Sequence, residues 1–265
     1  MRLIVPDSVP TTYLAAAAER PPADPTLVAM VGQPDPDTDA DAAVLVATGD
    51  LGGWVGTHRL VPTAGVATSG RVGVALGTPV RADMIDEPTV WLRDVSTTAR
   101  LLVRATFERY YGTPVVAWTT TGEGAQAVVV EGVEALQPPE AGFRDDVGRA
   151  WFILNGVPVV THLLLVPAGA DPAAVDAATR WVQESGGLDK ERRRRARERL
   201  AARAGIPASD LIDLLAAVHT TLGPADLDSA KLLFQLARDP ELPTPSFTVH
   251  LPPDGDVATA GGSHG

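Results

Sequence analysis

Short apolar runs alternate with amphipathic stretches along the chain as far as residue 166. Runs rich in valine and leucine and bounded by Gly, Pro or Asp are typical of buried β-strands. The predicted strands are Leu3–Val5, Leu27–Val31, Ala43–Ala47, Val72–Leu76, Thr89–Leu92, Val115–Trp118, Ala127–Val130 and Val157–Val166. Helical spacing lies between them, and it predicts helices at Thr12–Glu19, Asp50–Val55, Thr97–Tyr111 and Asp145–Leu154.

The rest of the chain has helical spacing only. The predicted helices are Pro172–Ser185, Lys190–Ala204, Ser209–Thr221 and Leu227–Ala237. The order of elements therefore predicts an α/β fold followed by an all-helical C-terminus. A length of 265 residues fits two modest α/β units.

The composition predicts a folded domain and excludes several kinds of functional site. Hydrophobic residues make up 45% of the chain and charged residues 21%, which is enough apolar material for a core. Cysteine is absent, which excludes disulfides, thiolate metal sites and cysteine nucleophiles. Met1–Val5 runs directly into Pro6-Asp7, so no signal peptide or membrane helix is predicted, and we expect a cytoplasmic protein without a membrane partner.

The net charge of −11 argues against a nucleic-acid surface, which needs a concentrated positive field. One segment, Lys190–Arg199, is strongly basic. Its interleaved glutamates favour a solvated helix, and the alternative is an interaction module for an acidic partner.

No familiar catalytic motif is present. H-E-x-x-H, G-x-S-x-G, P-loop and G-x-G-x-x-G patterns are missing, so we expect neither a metal nor a cofactor. His162 lies in a predicted strand, where a core histidine is commoner than a base at a cleft, and the same holds for His58.

Two segments are candidates for binding an anion. Ser96, Thr97 and Thr98 stand at the predicted start of a helix, whose free backbone N–H groups attract carboxylates or phosphates. Plain helix capping is the alternative. In the turn Ser69-Gly70-Arg71, glycine would let the backbone approach a ligand and arginine could bind a carboxylate, although exposed loop arginines are commoner.

The predicted helix before Val157 ends at Asn155-Gly156, since glycine often follows the last residue of a helix. The long apolar strand begins directly after it, at Val157. Such a strand could cross between two lobes.

Four segments carry longer patterns, and they are Val66–Val74, Ser96–Leu102, Gln126–Leu136 and Asp146–Val160. In that order they resemble I-A-S-x-G-P-V-x-S-V, L-D-x-S-S-x-T-S-x-x-L-L, D-A-x-L-x-I-G-D-x-A-L and D-L-G-x-x-W-x-x-L-T-G-L-P-F-V. These are motifs of the futalosine-pathway menaquinone biosynthesis family, which contains chorismate dehydratase and 1,4-dihydroxy-6-naphthoate synthase. The last segment is the most specific, because it follows its pattern at identical spacing.

The resemblance implies a two-lobed, periplasmic-binding-protein-like (type II) α/β fold with C-terminal helices. Lobe one would comprise residues 1–81 and 167–265, lobe two residues 82–166, with the ligand cleft between them. The implied activity is a cofactor-independent lyase that removes water from chorismate to give 3-[(1-carboxyvinyl)oxy]benzoate. The implied partner is a small anionic metabolite, and the protein would be a monomer or homodimer.

The resemblance also implies roles for the candidate residues. Ser96, Thr97 and Thr98 would hold one carboxylate of the substrate. Ser69, Gly70 and Arg71 would bind its other end. Thr11 and Asn155 would be catalytic.

Departures from the family patterns concentrate where the site is expected. Pro10 stands nearest the place of a family asparagine, while Val95, Ala99 and Val133 replace two serines and an aspartate. The alternative is therefore a catalytically silent or divergent paralogue that binds a small carboxylate metabolite.

Overall fold

The protein is described by a computed structural model that covers residues 1–139, 141–184 and 187–246. Within these residues the strands are β1 (Arg2–Val5), β2 (Val28–Val31), β3 (Ala43–Ala47), β4 (His58–Thr68), β5 (Val74–Thr78), β6 (Thr89–Leu92), β7 (Ala117–Thr119), β8 (Ala127–Glu131), β9 (Phe143–Asp146), β10 (Val159–Pro167) and β11 (Val218–Thr221). The α-helices are α1 (Thr12–Ala18), α2 (Thr97–Tyr111), α3 (Val133–Leu136), α4 (Val147–Asn155), α5 (Pro172–Gln183), α6 (Lys190–Ala204), α7 (Ile212–Ala216) and α8 (Pro224–Ala237). Short 3-10 helices cover Thr48–Trp54, Ala82–Met84 and Ala208–Leu211.

The strands form two sheets. One has six strands in the order β11-β4-β10-β3-β1-β2, and the other has five in the order β7-β6-β8-β5-β9. The chain passes from the first sheet to the second between β4 and β5, and it returns between α4 and β10. The crossings therefore lie at residues 69–73 and 156–158.

These crossings differ from the expected limits of lobe two, which were residues 82 and 166. β5 belongs to the five-stranded sheet and β10 to the six-stranded sheet. We therefore propose that each lobe boundary lies at its crossing, several residues before the limit that the sequence suggested.

Strand β10 is the centre of the larger sheet. It pairs antiparallel with β3 on one side and β4 on the other, and its residues are buried except at the C-terminal end. The register with β4 shifts between Val160 and His162, so that Thr161 is an extra residue opposite β4. Such a bulge bends a strand and re-aims its side chains, and here it lies where the two lobes meet.

Helices cover both sheets. α1 and α5 pack on the larger sheet through Leu14, Val175 and Val182. α2 packs against both α4 and α8, with Leu101 and Phe107 fully buried. α8 follows β11 of the first sheet, so its contact with α2 joins the two lobes away from the crossings.

Most elements lie where the hydrophobic pattern predicts them, and β3, β6, α2 and α6 have the predicted limits. The predicted helix Ser209–Thr221 is wrong in its second half, because residues 218–221 form β11. This strand is short and polar, and its pairing with the edge of β4 stabilises it. No helix in the described part of the chain is long and apolar enough to cross a membrane.

Candidate functional site

A cavity of about 770 Å³ lies between the two sheets. Its walls come from the segment after β1, the 3-10 helix after β3, the start of α2, the bulged part of β10 and the segment after α8. The residues with functional side chains in these walls include Ser8, Gln33, Asp50, Ser96, Thr97, Thr98, Glu131, Thr161, His162 and Glu241. Parts of both lobes therefore surround one space.

The N-terminus of α2 is already occupied by a carboxylate of the protein. The Ser96 side chain caps the helix by accepting a hydrogen bond from the Ala99 N–H. The Glu131 carboxylate accepts from the Ser96 backbone N–H at 2.6 Å and from the Ser96 hydroxyl at 2.8 Å. Glu131 thus takes the place at the helix dipole that a ligand anion was expected to fill.

The other two hydroxyls join the lobes. Thr97 Oγ1 donates to the Asp50 carboxylate, and Thr98 Oγ1 accepts from the Gly49 N–H at 2.9 Å. Asp50 and Gly49 belong to the 3-10 helix after β3. All three predicted anion-binding side chains therefore line the cavity, and each has a partner within the protein.

Gly49 permits this close contact, and its replacement tests the contact. A Cβ at residue 49 would lie 2.7 Å from the Thr97 Cβ and closer still to the α2 backbone. We expect Gly49→Ala to lower the free energy of unfolding by about 1–3 kcal/mol, because neither backbone can yield freely. Urea unfolding measures this effect. Gly52→Ala is the matched control, since nothing lies within 4 Å of its Cβ; equal stability of the two variants would contradict the account.

His162 presents a free ring nitrogen to the cavity. Thr161 Oγ1 donates to the Val66 carbonyl at 3.2 Å, so its hydrogen is used there. His162 Nδ1 lies 3.0 Å from the same oxygen, and with the hydroxyl hydrogen directed to Val66 we assign Nδ1 as the donor to it. The neutral ring then carries its proton on Nδ1. Nε2 is left as an acceptor, and within the described residues it has no hydrogen-bond partner.

Burial moves the pKa values of Glu131 and His162 in opposite directions. Loss of water around Glu131 raises the pKa of its carboxyl, and the nearby Asp50 charge adds to this, although the Ser96 hydrogen bonds oppose it. Burial lowers the pKa of His162 to about 4. The cavity therefore holds a carboxyl group that retains its proton more readily than usual and an imidazole that stays neutral.

The cavity is acidic. Its carboxylates are Asp7, Asp50, Glu131 and Glu241, and no lysine or arginine is among the described lining residues. Asp7 pairs with Arg203 at 2.9 Å. Glu241 pairs with Arg100 at 2.6 Å. The other two carboxylates have no cationic partner in the described part of the chain.

The segment after α8 closes one side of the cavity. Glu241–Pro245 lines it, and Asp239 anchors the segment to α2. The fully buried Asp239 carboxylate accepts from Arg100 at 2.5 and 2.8 Å, and Arg104 lies 3.5 Å away. The C-terminal segment is thus tied to the lobe that carries Ser96.

The turn Ser69-Gly70-Arg71 does not line the cavity. It forms the first crossing, and the Arg71 Nε donates to Asp146 at 3.3 Å. The Gly70 carbonyl packs against α4, where a side chain at Gly148 would collide with it. We therefore do not include these three residues in the proposed site, since their contacts hold the crossing against α4.

Thr11 and Asn155, the expected catalytic residues, also lie outside the cavity lining. Thr11 is fully buried, and its hydroxyl donates to the Pro6 carbonyl within the turn before α1. Asn155 ends α4, where its amide donates to the Trp151 carbonyl and accepts from Arg109. Both side chains are therefore engaged in local structure, and the site proposal leaves them out as well.

His58 is a core histidine, as expected. It is 3% exposed, its Nε2 lies 3.0 Å from the Ala42 carbonyl, and its ring packs edge-on against Trp54.

Asp50 and Glu131 were not predicted from the sequence as residues of the site, and both line the cavity. One signal was available for Glu131, because the pattern D-A-x-L-x-I-G-D has an apolar residue at that place. A glutamate at the end of a buried strand, directly before Gly132, departs from that pattern. Asp50 had no such signal, since only the packing of the lobes brings it to α2.

Comparisons with known proteins agree with this architecture. The profile of a family described as menaquinone biosynthesis matches residues 55–239. No protein of curated function matches the sequence.

Several solved structures are similar. Protein AF1704 from Archaeoglobus fulgidus has 10% identity and a TM-score of 0.59, over 89% of this chain and 96% of that one. The ligand-binding component of an ABC-type import system from Staphylococcus aureus, solved with zinc bound, has 13% identity and a TM-score of 0.60, over 94% and 96%. The CA3427 gene product of Candida albicans, described as having the generic periplasmic binding protein fold, has 10% identity and a TM-score of 0.60, over 97% and 98%. At these identities the likeness shows the fold alone, and it confirms the predicted periplasmic-binding-protein-like class.

Proposed function

Because the chain belongs to the menaquinone biosynthesis family, we propose that it catalyses a cofactor-independent lyase reaction of that pathway in the cavity between its sheets. The substrate that the motifs indicate is chorismate. The observation that supports a lyase is the pair Glu131 and His162, whose pKa values are moved in opposite directions in one cavity, so that the carboxyl keeps its proton at a pH where the imidazole is already neutral. Two groups shifted in this way are suited to act as acid and base.

The reaction would need one proton removed and one supplied. His162 Nε2, unprotonated and facing the cavity, would take the proton from the ring carbon that carries the enolpyruvyl ether. The C–O bond at the neighbouring carbon would break, and Glu131 would give its proton to the departing hydroxyl. Water leaves, the ring becomes aromatic, and the two proton transfers balance.

A second candidate is a divergent member that binds a ligand without turnover. Three features of the cavity favour it. Pro10 lines the wall where the family motif has an asparagine, Glu131 occupies the helix N-terminus, and no cationic side chain is among the described lining residues. Such a cavity suits a dianion poorly and favours a neutral or less charged ligand.

Incubation of the purified protein with chorismate separates the two candidates. Chromatography would follow the loss of chorismate, and calorimetry would measure binding of chorismate and of the aromatic product. Turnover to the enolpyruvyl benzoate supports the lyase. Absence of turnover, with or without binding of these two dianions, would overturn the lyase and support the second candidate.

The pH dependence of turnover tests the assignment of acid and base. Activity requires neutral His162, so kcat/KM is expected to fall only below about pH 4, where the ring gains a proton. Activity also requires protonated Glu131, whose raised pKa places the alkaline limb above the usual range for glutamate. The profile should be a bell displaced to acid pH. An acid limb near pH 6.5, the ordinary value for histidine, would contradict the assignment.

A further inference from the structure

Two arginines of the basic helix α6 differ from the others. Five arginines of this helix pair with an acidic side chain, namely Arg192 with Asp189, Arg194 with Glu191 and Glu198, Arg195 with Glu191, Arg199 with Glu19 and Arg203 with Asp7. Arg193 and Arg197 have no acidic partner within the described residues. They are four residues apart, so they lie on one face of the helix.

Both arginines line a pocket together with Tyr13. The Arg193 guanidinium lies over the Tyr13 ring, 5.4 Å from its centre, and its Nε donates to the Leu188 carbonyl. Arg197 Nε is buried, with no hydrogen-bond partner in the described part of the chain. The two Nη atoms of Arg197 also have no partner among the described residues, and they are not among the buried atoms, so they are the donors open to a ligand oxyanion.

A pocket of about 240 Å³ opens beside this pair. Tyr13 and the two guanidinium groups form one side, and the buried side chains of Leu14 and Leu215 form the floor. Ile212, 48% exposed, stands at the edge. The pocket thus combines two unpaired positive charges with an apolar surface, which is typical of sites for small organic ions.

We propose that this pocket, between α1, α6 and α7, is a second ligand site that binds a small organic acid. The carboxylate would lie between Arg193 and Arg197, and an apolar or aromatic body would pack on Leu14 and Leu215. Guanidinium groups bind carboxylates through paired N–H donors, and Tyr13 fixes one of them in place. The proposal does not depend on the proposed lyase activity, because the pocket lies apart from Glu131 and His162.

Calorimetry with benzoate, acetate and inorganic phosphate as probes tests the site. Benzoate is expected to bind, and the double variant Arg193→Gln/Arg197→Gln should weaken its binding at least about tenfold. The matched control is Arg192→Gln/Arg195→Gln, which removes the same charge from the same helix but from paired, exposed arginines. It should leave the affinity for benzoate unchanged. Circular dichroism checks folding of both, and the single variant Arg197→Gln serves if the double variant does not fold.

Three results would overturn the proposal. Equal weakening by both double variants would show attraction by net charge alone. Benzoate affinity unchanged in Arg193→Gln/Arg197→Gln would place the probe elsewhere, including the interlobe cavity. If acetate or phosphate bound as tightly as benzoate, the apolar floor would not contribute to binding.

Discussion

The variant His162→Asn is expected to lower kcat for chorismate by about 100- to 10,000-fold, the usual contribution of a general base. The asparagine amide can still donate to Thr161, as Nδ1 does, but it lacks the acceptor that Nε2 presents to the cavity. The change therefore removes the base while keeping the local hydrogen bond. Steady-state kinetics on the purified variant measures the effect.

The control for this variant is His219→Asn. His219 pairs with Asp226 at 3.2 Å and lies outside the interlobe cavity, so its replacement should leave kcat unchanged. If the His162→Asn variant were as active as the wild type, His162 would not be the general base. Loss of activity in both variants would show that the loss comes from the fold.

The largest effect on stability is expected at Asp239. Its side chain is fully buried between Arg100 and Arg104, which are mostly buried themselves. Asp239→Asn removes the buried charge partner of Arg104 and one of the two partners of Arg100, which keeps Glu241, and this should lower the free energy of unfolding by about 3 kcal/mol. The variant should also loosen the segment 241–245 from the cavity.

Urea unfolding measures the effect, with Asp228→Asn as the control. Asp228 lies on α8 and is 75% exposed beside Lys231, so its ion pair contributes little. Similar stability of the two variants would show that Asp239 does not anchor the C-terminal segment.

Local patterns predicted those parts of the fold that depend on neighbours in sequence. The cap at Ser96, the limits of α2 and the left-handed turn at Gly156 after α4 follow from short-range rules, and the structure confirms them. The basic helix α6 likewise has the predicted limits.

The candidate site depends on contacts that are distant in sequence. Glu131 reaches Ser96 across 35 residues, and Thr98 reaches Gly49 across 49. The bulge at Thr161 depends on pairing with β4. A hydroxyl cluster at a helix start could therefore be recognised in the sequence, but its partners could not, and neither could the direction of His162.

A nitrogen-15 NMR titration of the histidine side chains tests the central claim most directly, with His162→Asn used to assign the signal. His162 in the folded protein is expected to be neutral at pH 7, to carry its proton on Nδ1 and to titrate at about pH 4. A signal that titrates near pH 6.5, or one with the proton on Nε2, would contradict this claim.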